Sequence, residues 1–172
     1  MKRFSKFLLV LALALISAQG VSAQNVRFQG NAKVTCHTIC WEQYNLGALS
    51  VGTRFSDSNY LGIGSGSLWL SRTERGAHNE PIGKKDLFFS PVYLDYIHYF
   101  NNSGVKRNSF FLGAEAGGSF LTKGDEYQKR YYHADLKCGY DFGFTKNFGA
   151  FVEADILAGY AYGLGITAGL RF

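Results

Sequence analysis

Hydrophobic and polar residues alternate along the end of the chain, and the alternation continues without interruption from Ala161 to Phe172. One face of this segment carries Tyr162, Leu164, Ile166, Ala168, Leu170 and Phe172. The other face carries Gly163, Gly165, Thr167, Gly169 and Arg171. Because side chains along a β-strand point to opposite faces in turn, a period of two predicts a strand. One face of this strand is apolar, and the other holds small or charged residues.

The same alternation recurs through the chain and predicts eight strands. They cover residues 25–37, 44–55, 58–70, 87–100, 108–121, 131–144, 147–157 and 160–172. Short polar connections at 55–58, 101–107 and 145–147 alternate with longer ones around 38–43, 71–86 and 122–130, and a short one lies near Ala158. Short turns at one end and longer loops at the other are typical of an up-and-down barrel.

The sixth segment shows most clearly which residues share a face. Tyr132, Ala134, Leu136, Cys138, Tyr140, Phe142 and Phe144 alternate with His133, Asp135, Lys137, Gly139, Asp141 and Gly143. A soluble barrel would bury the apolar set, whereas a membrane barrel turns it outward. The glycine-rich polar face suits a cramped interior, and aromatic residues near both strand ends suit girdles at two membrane interfaces. The pattern favours an all-β, closed, antiparallel, eight-stranded transmembrane barrel, with Leu136, Phe142 and Ile166 pointing outward.

In this phasing, charges of both signs point into the barrel. The cations are Arg27, Lys33, Arg54, Lys137 and Arg171, and the anions are Asp95, Glu115, Asp135, Asp141, Glu153 and Asp155. The interior of an eight-stranded barrel is just wide enough for side chains to fill. A core of ion pairs and hydrogen bonds is one interpretation, and an ion or proton path lined by carboxylates is the other. The mixed signs and the narrow diameter favour the plugged core.

The beginning of the chain predicts export. Lys2, Arg3 and Lys6 precede an apolar run over residues 7–16, and Val21-Ser22-Ala23 offers small residues for cleavage. We therefore predict a cleavable signal helix over 1–23 and a barrel domain over 24–172, in the cell outer membrane. The net charge of +5 includes the three cations of the signal, so the basic balance does not indicate a nucleic-acid partner.

The three cysteines do not form a recognisable metal or haem motif. Cys36 and Cys40 can form a disulfide only if the chain turns between them, because an extended i, i+4 pair is too far apart. Cys138 is interpreted as a small hydrophobic residue that faces lipid. The segment from Cys36 to Cys40 lacks haem-attachment spacing, and no second Cys/His pair completes a zinc site. We expect no cofactor and no metal.

The chain resembles the small eight-stranded outer-membrane barrels of the OmpX and OmpA transmembrane type, known as porin-family or outer-membrane β-barrel domain proteins. The resemblance covers the whole chain after the signal, and its most specific parts are the closing strand 163–172 and the hairpin 51–64. It implies that the last strand, which ends at Phe172, is read by the barrel-assembly machinery. The fourth segment departs from the pattern, because Pro91 removes a ladder donor and Asp95 with His98 interrupts the apolar stripe.

Some barrels of this size modify lipid A with a histidine, a serine and an acidic residue near the outer leaflet. The candidates here are His37, His78, His98 and His133, and none lies in a His-x-Ser pair beside an acidic partner. His98 lies toward the periplasmic end of its strand. His133 lies near the outer rim, with Asp135 on the same face as an orienting group and Tyr131 or Ser119 needed to complete a site. We expect a structural or titrating role for His133 and assign no catalytic residue.

The charged loops remain as the candidate functional surface. They cover residues 71–80 and 123–130, mix both signs and contain turn-forming residues. The resemblance implies adhesion or contact with host surfaces and with lipopolysaccharide headgroups, and Lys123, Lys129 and Arg130 are the candidates to meet lipid phosphates at the rim. The function predicted from the sequence is a non-enzymatic outer-membrane protein with a structural or adhesion-like role, and a lipid-modifying enzyme is the alternative.

Phe172 is predicted to face outward at the periplasmic interface, while Arg171 pairs inside with Glu153 or Asp155.

Overall fold

The computed structural model describes residues 27–39, 42–56, 58–100, 108–124, 130–145, 147–159 and 163–172. These residues form eight strands. The strands are β1 (Arg27–Ile39), β2 (Glu42–Arg54), β3 (Asn59–Arg75), β4 (Pro81–Tyr99), β5 (Ser109–Lys123), β6 (Arg130–Gly143), β7 (Gly149–Gly159) and β8 (Gly163–Arg171). The predicted signal peptide over 1–23 lies outside the described residues. Within the described part of the chain, no helix has the length and apolar character needed to cross a membrane.

Each strand pairs with its neighbours in an antiparallel sheet that closes on itself. β1 pairs with β2 on one side and with β8 on the other, in a register that places Asn31 opposite Arg171. Beyond that pair, Gly30 and Phe172 exchange backbone hydrogen bonds of 2.6 and 2.9 Å. Closure leaves the sheet without an unpaired edge along its length. The predicted eight-stranded antiparallel barrel is confirmed.

The two ends of the barrel differ in their connections. The turn end holds the start of β1, the end of β8 and the three connections β2–β3, β4–β5 and β6–β7. The loop end holds the other four connections. The sequence prediction of a loop over 71–86 was wrong, because β3 runs on to Arg75 and β4 begins at Pro81. The hydrophobic alternation stops at residue 70 because this extension stands beyond the barrel wall, where neither face needs to be apolar.

Side chains alternate between the outside and the interior as the sequence predicted. Leu136, Phe142 and Ile166 point outward and are 68%, 42% and 73% exposed. The eleven charges assigned to the interior from the sequence all lie on the inward faces of their strands; ten are buried, and Arg27 is half-buried. The polarity of a soluble protein is thereby reversed, with the charges inside and large apolar side chains outside.

The interior also contains two apolar clusters that the sequence analysis did not predict. Toward the loop end, buried side chains from β2, β3, β4, β6 and β7 form one cluster, comprising Tyr44, Leu46, Ala48, Leu68, Leu70, Leu87, Phe89, Tyr93, Tyr131 and Leu157. Toward the turn end, Tyr60, Ile97, Tyr99, Phe111 and Phe151 form the other. The part of the predicted ion-pair core around Lys137 is the middle layer of a three-layered interior, whereas Arg54, Arg171 and Asp141 lie at the turn end.

Candidate functional site

The middle layer of the lumen is organised around Lys137. Its ammonium lies 2.6 Å from Asp95 Oδ1, 2.6 Å from Glu115 Oε1 and 3.9 Å from Glu153 Oε2. β4, β5 and β6 place these groups side by side, because the register pairs Asp95 with Glu115 and Glu115 with Asp135. All four charged side chains are almost completely buried, so each ion is stabilised by its neighbours and not by water.

Lys33 of β1 completes this ionic layer from the opposite side. It forms a salt bridge with Glu115 and lies 3.7 Å from Glu153 Oε1. Two lysines are thus shared among three carboxylates, Asp95, Glu115 and Glu153. The Lys33 ammonium also lies 5.1 Å from the centre of the Tyr93 ring, which belongs to the apolar cluster above. The ionic layer is in direct contact with the apolar layer and spans the barrel.

A chain of hydrogen bonds through uncharged side chains continues from the ionic layer toward the turn end. Ser50 donates to Asp95 Oδ2 over 3.4 Å, and Asn31 donates to Ser50 over 3.1 Å. Gln29 Nε2 then lies within hydrogen-bond distance of both Asn31 Oδ1 and the Tyr99 hydroxyl, at 3.0 and 3.2 Å. The polar side chains are therefore joined to one another, as burial away from water requires.

A second buried pair lies toward the loop end, where His37 Nε2 is 2.5 Å from Asp155 Oδ1. Thr167 donates to Thr35 over 2.6 Å, and its hydroxyl lies 3.3 Å from Asp155 Oδ2. The His37 ring also packs edge-on against Tyr44, with ring centres 4.8 Å apart. His37, one of the histidines considered for catalysis, is held inside the wall and not presented to a lipid.

Arg171 does not pair with the residues predicted from the sequence. It donates from Nε to Asp141 Oδ2 over 2.7 Å, whereas Glu153 is held by the two lysines and Asp155 by His37. Glycine at position 149 explains this choice. A Cβ atom there would lie 2.7 Å from Arg171 Nη2 and 3.0 Å from Asp141 Oδ1. The ion pair therefore occupies space that a side chain at position 149 would fill.

The lipid-modifying site considered from the sequence is not assembled. His133, Asp135 and Ser119 all point into the barrel and are buried. However, His133 Nδ1, Asp135 Oδ1 and Ser119 Oγ each have no hydrogen-bond partner among the described residues, so these atoms do not form a proton relay. Tyr131, the other candidate, packs into the loop-end apolar cluster against Phe89. A lipid acyl group outside the wall has no access to this set.

The remaining histidines lie at the surface. His98 lies on the outer face near the turn end, with Nδ1 2.9 Å from Asn59 Oδ1 and its ring against Phe100. His78 is exposed in the β3–β4 turn. Among the described residues, no three His, Cys, Asp or Glu side chains are grouped so that they could hold a metal ion.

Cys36 and Cys138 are free thiols on the outer face. The outward position of Cys138 agrees with its interpretation as a lipid-facing residue. Cys40 lies outside the described residues. The disulfide between Cys36 and Cys40 that the sequence allows therefore stays a prediction.

Pro91 interrupts the β3–β4 ladder without changing its register. Pairing runs from Asn59 to Ser65 on β3 and resumes at Leu68, and the two intervening positions opposite Ser90 and Pro91 are unpaired. Ser65 Oγ donates to the Pro91 carbonyl over 2.9 Å, which satisfies one of the groups that the interruption frees. The predicted loss of a ladder donor at Pro91 is confirmed.

The extended β3–β4 hairpin is the most prominent feature of the loop end. Beyond Ser71 and Asp86, its strands pair only with each other, and their register places Arg72 opposite Lys85 and Thr73 opposite Lys84. The turn is closed by a hydrogen bond of 2.8 Å from Gly76 N to Glu80 O, and Asn79 adopts a left-handed conformation with φ of 67°. Arg75 donates to both the backbone and the side-chain oxygen of Asn79, so the tip is an ordered structure.

A further cation lies beside the base of this hairpin. Lys123, at the end of β5, has its ammonium 5.7 Å from the centre of the Phe88 ring on β4. We call the four residues Arg72, Lys84, Lys85 and Lys123 the rim cations. Lys129, which was predicted with Lys123 and Arg130 to meet lipid phosphates, lies outside the described residues, whereas Arg130 is exposed at the start of β6.

No protein-family model matches the sequence, and no curated protein is significantly similar to it. Among solved structures, the N-terminal β-barrel domain of OprF from Pseudomonas aeruginosa has a TM-score of 0.58 and 19% identity, over 87% of this chain and 98% of that domain. Neisserial surface protein A (NspA) has a TM-score of 0.54 and 10% identity, over 86% of this chain and 98% of that protein. The chain therefore has the fold of the small eight-stranded outer-membrane β-barrels, and the resemblance expected from the sequence is confirmed for the fold.

Proposed function

We propose that this chain is a non-enzymatic integral protein of the outer membrane with a structural or surface-interaction role. The observation that carries the proposal is the reversed polarity of the barrel. Leu136, Val152, Leu164 and Ile166 form part of an outer wall that is largely apolar, while Lys33, Lys137 and their carboxylate partners are buried in the lumen. A soluble protein rarely exposes so large an apolar surface, whereas hydrocarbon requires one.

Aromatic side chains at both ends of the wall support a position across a bilayer. Phe100, Phe110, Phe148 and Phe172 face outward at the turn end, and Trp69, Phe120 and Tyr132 face outward toward the loop end. Aromatic side chains are enriched at the two membrane interfaces. Together with the predicted signal peptide over 1–23, this arrangement supports an orientation with the turn end in the periplasm and the loop end outside the cell.

The three-layered interior supports a barrel that conducts no ions. The loop-end apolar cluster and the turn-end aromatic cluster cover the ionic layer from both sides, and Leu68, Leu157, Phe89 and Phe111 are each at most 1% exposed. An ion entering the lumen would have to displace packed side chains and then pass lysines and carboxylates that are already paired with one another. The plugged interior therefore accounts for the charges better than a path lined by carboxylates.

The loop end supports contact with anionic groups at the cell surface. The rim cations surround the base of a hairpin whose turn is held by Arg75 and Asn79. Arg72 and Lys85 stand directly opposite each other, which concentrates positive charge that attracts anions. The phosphates of lipopolysaccharide supply such anions at this height, and the hairpin beyond them is free to contact a surface outside the cell.

The membrane assignment is tested by fractionating cells and by comparing boiled and unboiled protein on a detergent gel. We expect the protein in the outer-membrane fraction and a folded band whose mobility changes on boiling. Recovery in the soluble periplasm would exclude the proposal. Planar-bilayer recording tests the plugged lumen separately, and steady ohmic steps of large conductance would show that it is wrong.

The surface-interaction role is tested by shortening the hairpin at its own register. In this variant, Asn-Gly replaces residues 72–85 and connects Ser71 to Asp86, which are paired with each other in the native register. Asn-Gly is a sequence that favours a two-residue hairpin turn. We expect folded barrels at normal levels and reduced binding of cells to host-cell surfaces or matrix. The matched variant Lys84→Gln/Lys85→Gln keeps the hairpin and removes two charges, so it separates a charge requirement from a shape requirement. Unchanged binding in both variants would leave only the structural role.

A further inference from the structure

The pairing of β5 with β4 contains a β-bulge near the loop end. Phe89 pairs with Leu121, but the preceding residue of β4, Phe88, pairs with Lys123, so Thr122 is an extra residue on β5. The Thr122 hydroxyl donates to the Phe88 carbonyl over 3.0 Å and so ties the extra residue to β4. A bulge changes the direction in which the side chains next to it point.

The bulge determines the face of the sheet on which Lys123 lies. Leu121 faces the lumen and packs against the loop-end apolar cluster. A strict period of two would therefore turn Lys123 toward the lumen side, opposite Leu87. Instead, Lys123 is exposed opposite the outward Phe88, with its ammonium 5.7 Å from the centre of that ring. Lys123 therefore belongs to the outer face of the barrel.

The neighbours of Lys123 on the outer face are aromatic. Phe88 pairs with Trp69 of β3, and Phe120 faces outward just below Lys123 on β5. Because Lys123 is the last residue of β5, its ammonium stands at the outer edge of the loop-end aromatic belt. A lysine in such a position keeps its methylene groups on apolar surface and extends its charge to the level of the lipid headgroups.

No carboxylate pairs with this ammonium within the described part of the chain. Neither Lys123 nor Asp86, the acidic residue on the same face of β4, takes part in an ion pair there. Arg72 and Lys85 lie on the opposite face of the hairpin, which continues the lumen side of the barrel. Lys123 is thus a cation that points outward beside the aromatic belt without an acidic partner, and it attracts an anionic headgroup.

We propose that Lys123, turned outward by the bulge at Thr122, binds a phosphate of lipopolysaccharide at the edge of the outer wall. Phe88 supports the side chain from below, and the ammonium donates charge-assisted hydrogen bonds to the phosphate oxygens. The inference rests on the membrane location and orientation proposed above. It assigns the lipid contact to one rim cation and leaves Arg72 and Lys85 to anions above the mouth of the barrel.

Trp69 is a reporter next to this site, because it pairs with Phe88. In a Trp41→Phe background it is the remaining tryptophan. Its emission is followed while lipid A, the phosphorylated anchor of lipopolysaccharide, is titrated into the refolded barrel in dodecyl maltoside micelles. We expect phosphorylated lipid A to bind about fivefold more tightly than lipid A whose phosphates have been removed. Equal affinities for the two lipids would overturn the proposal.

Variants separate an oriented site from a general effect of charge. Lys123→Gln should lower the affinity for phosphorylated lipid A about fivefold, whereas Lys123→Arg keeps the charge and should stay within about twofold of the parent. Lys84→Gln removes the same charge from the hairpin beyond the wall and should lower the affinity less than about twofold. Normal affinity in Lys123→Gln, or equal losses in Lys84→Gln and Lys123→Gln, would overturn the proposal.

The role of the bulge is tested by Thr122→Val, which keeps the shape of the side chain and removes its hydroxyl. We expect a loss of affinity of about twofold to fivefold in a barrel that still migrates as a folded band before boiling. An unchanged affinity would mean that the bulge does not position Lys123.

Two further measurements distinguish the ways in which the proposal can fail. Recovery of the protein in the soluble periplasm would exclude the proposed function itself. Protein that fractionates with the outer membrane, but whose Lys123→Gln variant binds lipid A normally, would overturn this inference alone. Inorganic phosphate is the competitor for the free ion. If it displaced lipid A at equal concentration, the site would take the ion and not the lipid, which would also overturn the proposal.

Discussion

Arg171 of β8 and Asp141 of β6 form an ion pair of 2.7 Å that passes over the glycine of the intervening strand, Gly149. β7 separates the two residues, so neither pairing in the sheet nor nearness in sequence brings them together. The staggered closure of the barrel and the missing side chain at position 149 do so. Both side chains are almost fully buried, which makes the geometry at Gly149 important for stability.

Gly149→Ala should therefore destabilise the barrel. Its Cβ would lie 2.7 Å from both the Phe142 carbonyl and Arg171 Nη2, so backbone and ion pair would both have to move. We expect a loss of about 1–3 kcal/mol in the free energy of unfolding, measured by urea titration in detergent micelles or vesicles. Gly47→Ala is the matched control, because nothing lies within 4 Å of its Cβ. That variant should keep its stability or gain up to about 1 kcal/mol, and equal losses in both would contradict the explanation.

The division between what the sequence predicted and what it did not can be followed along β6 and β8. The inward positions of Lys137, Asp141 and Arg171 followed from a strict period of two, which the contrast between charged and apolar residues makes unambiguous. The partner of Arg171 did not follow, because it depends on how far each strand is shifted along its neighbour. Alternation within a strand carries no information about that shift.

The apolar clusters and the long hairpin were missed for different reasons. Leu68, Trp69 and Leu70 are apolar on both faces of β3, so the pattern gives no sign that Leu68 and Leu70 fill the lumen while Trp69 faces outward. Arg72 and Lys85 belong to strands outside the wall, where the pattern of burial that defines a membrane strand is absent. The backbone pairing there is held by the ladder and the turn around Asn79.

Lys137 should be the most sensitive charged residue of the interior. Lys137→Met removes the cation shared by Asp95, Glu115 and Glu153 and leaves three buried carboxylates with only Lys33. Because an unpaired buried charge is far costlier than a missing pair, we expect a loss of about 3–5 kcal/mol in the free energy of unfolding.

Two comparisons make this prediction specific. Adding Glu115→Gln to Lys137→Met removes one of the stranded carboxylates and should restore part of the loss. Lys84→Met removes an exposed lysine of the hairpin and should change stability by less than about 0.5 kcal/mol. If the double variant were as unstable as the sum of its single changes, the ionic layer would not act as a unit.

Two neighbouring phenylalanines test the assignment of inside and outside on β5. Phe111 is 1% exposed and packs between Tyr99 and Phe151, whereas Phe110 is 47% exposed on the outer wall. Phe111→Ala leaves a cavity in the lumen and should lower the free energy of unfolding by about 3–5 kcal/mol. Phe110→Ala loses only partial contact with detergent or lipid and should cost about 1 kcal/mol. The reverse order in a urea titration would mean that the barrel is phased the other way.

Phe172 allows stability and assembly to be separated. Its ring faces outward and its backbone exchanges two hydrogen bonds with Gly30, the last pair that joins β8 to β1. Phe172→Ala keeps those backbone bonds and removes the ring, which should cost only about 1 kcal/mol in detergent. Deleting Phe172 removes the bonds as well and should cost about 1–2 kcal/mol more.

If the terminal aromatic is the feature read by the barrel-assembly machinery, as we propose, Phe172→Ala and the deletion should both strongly lower outer-membrane levels in cells, and Phe172→Tyr should restore them. Quantifying folded protein in outer-membrane fractions and after refolding in detergent gives both readouts. Losses in cells that merely follow the losses in detergent would mean that Phe172 closes the barrel and carries no assembly signal.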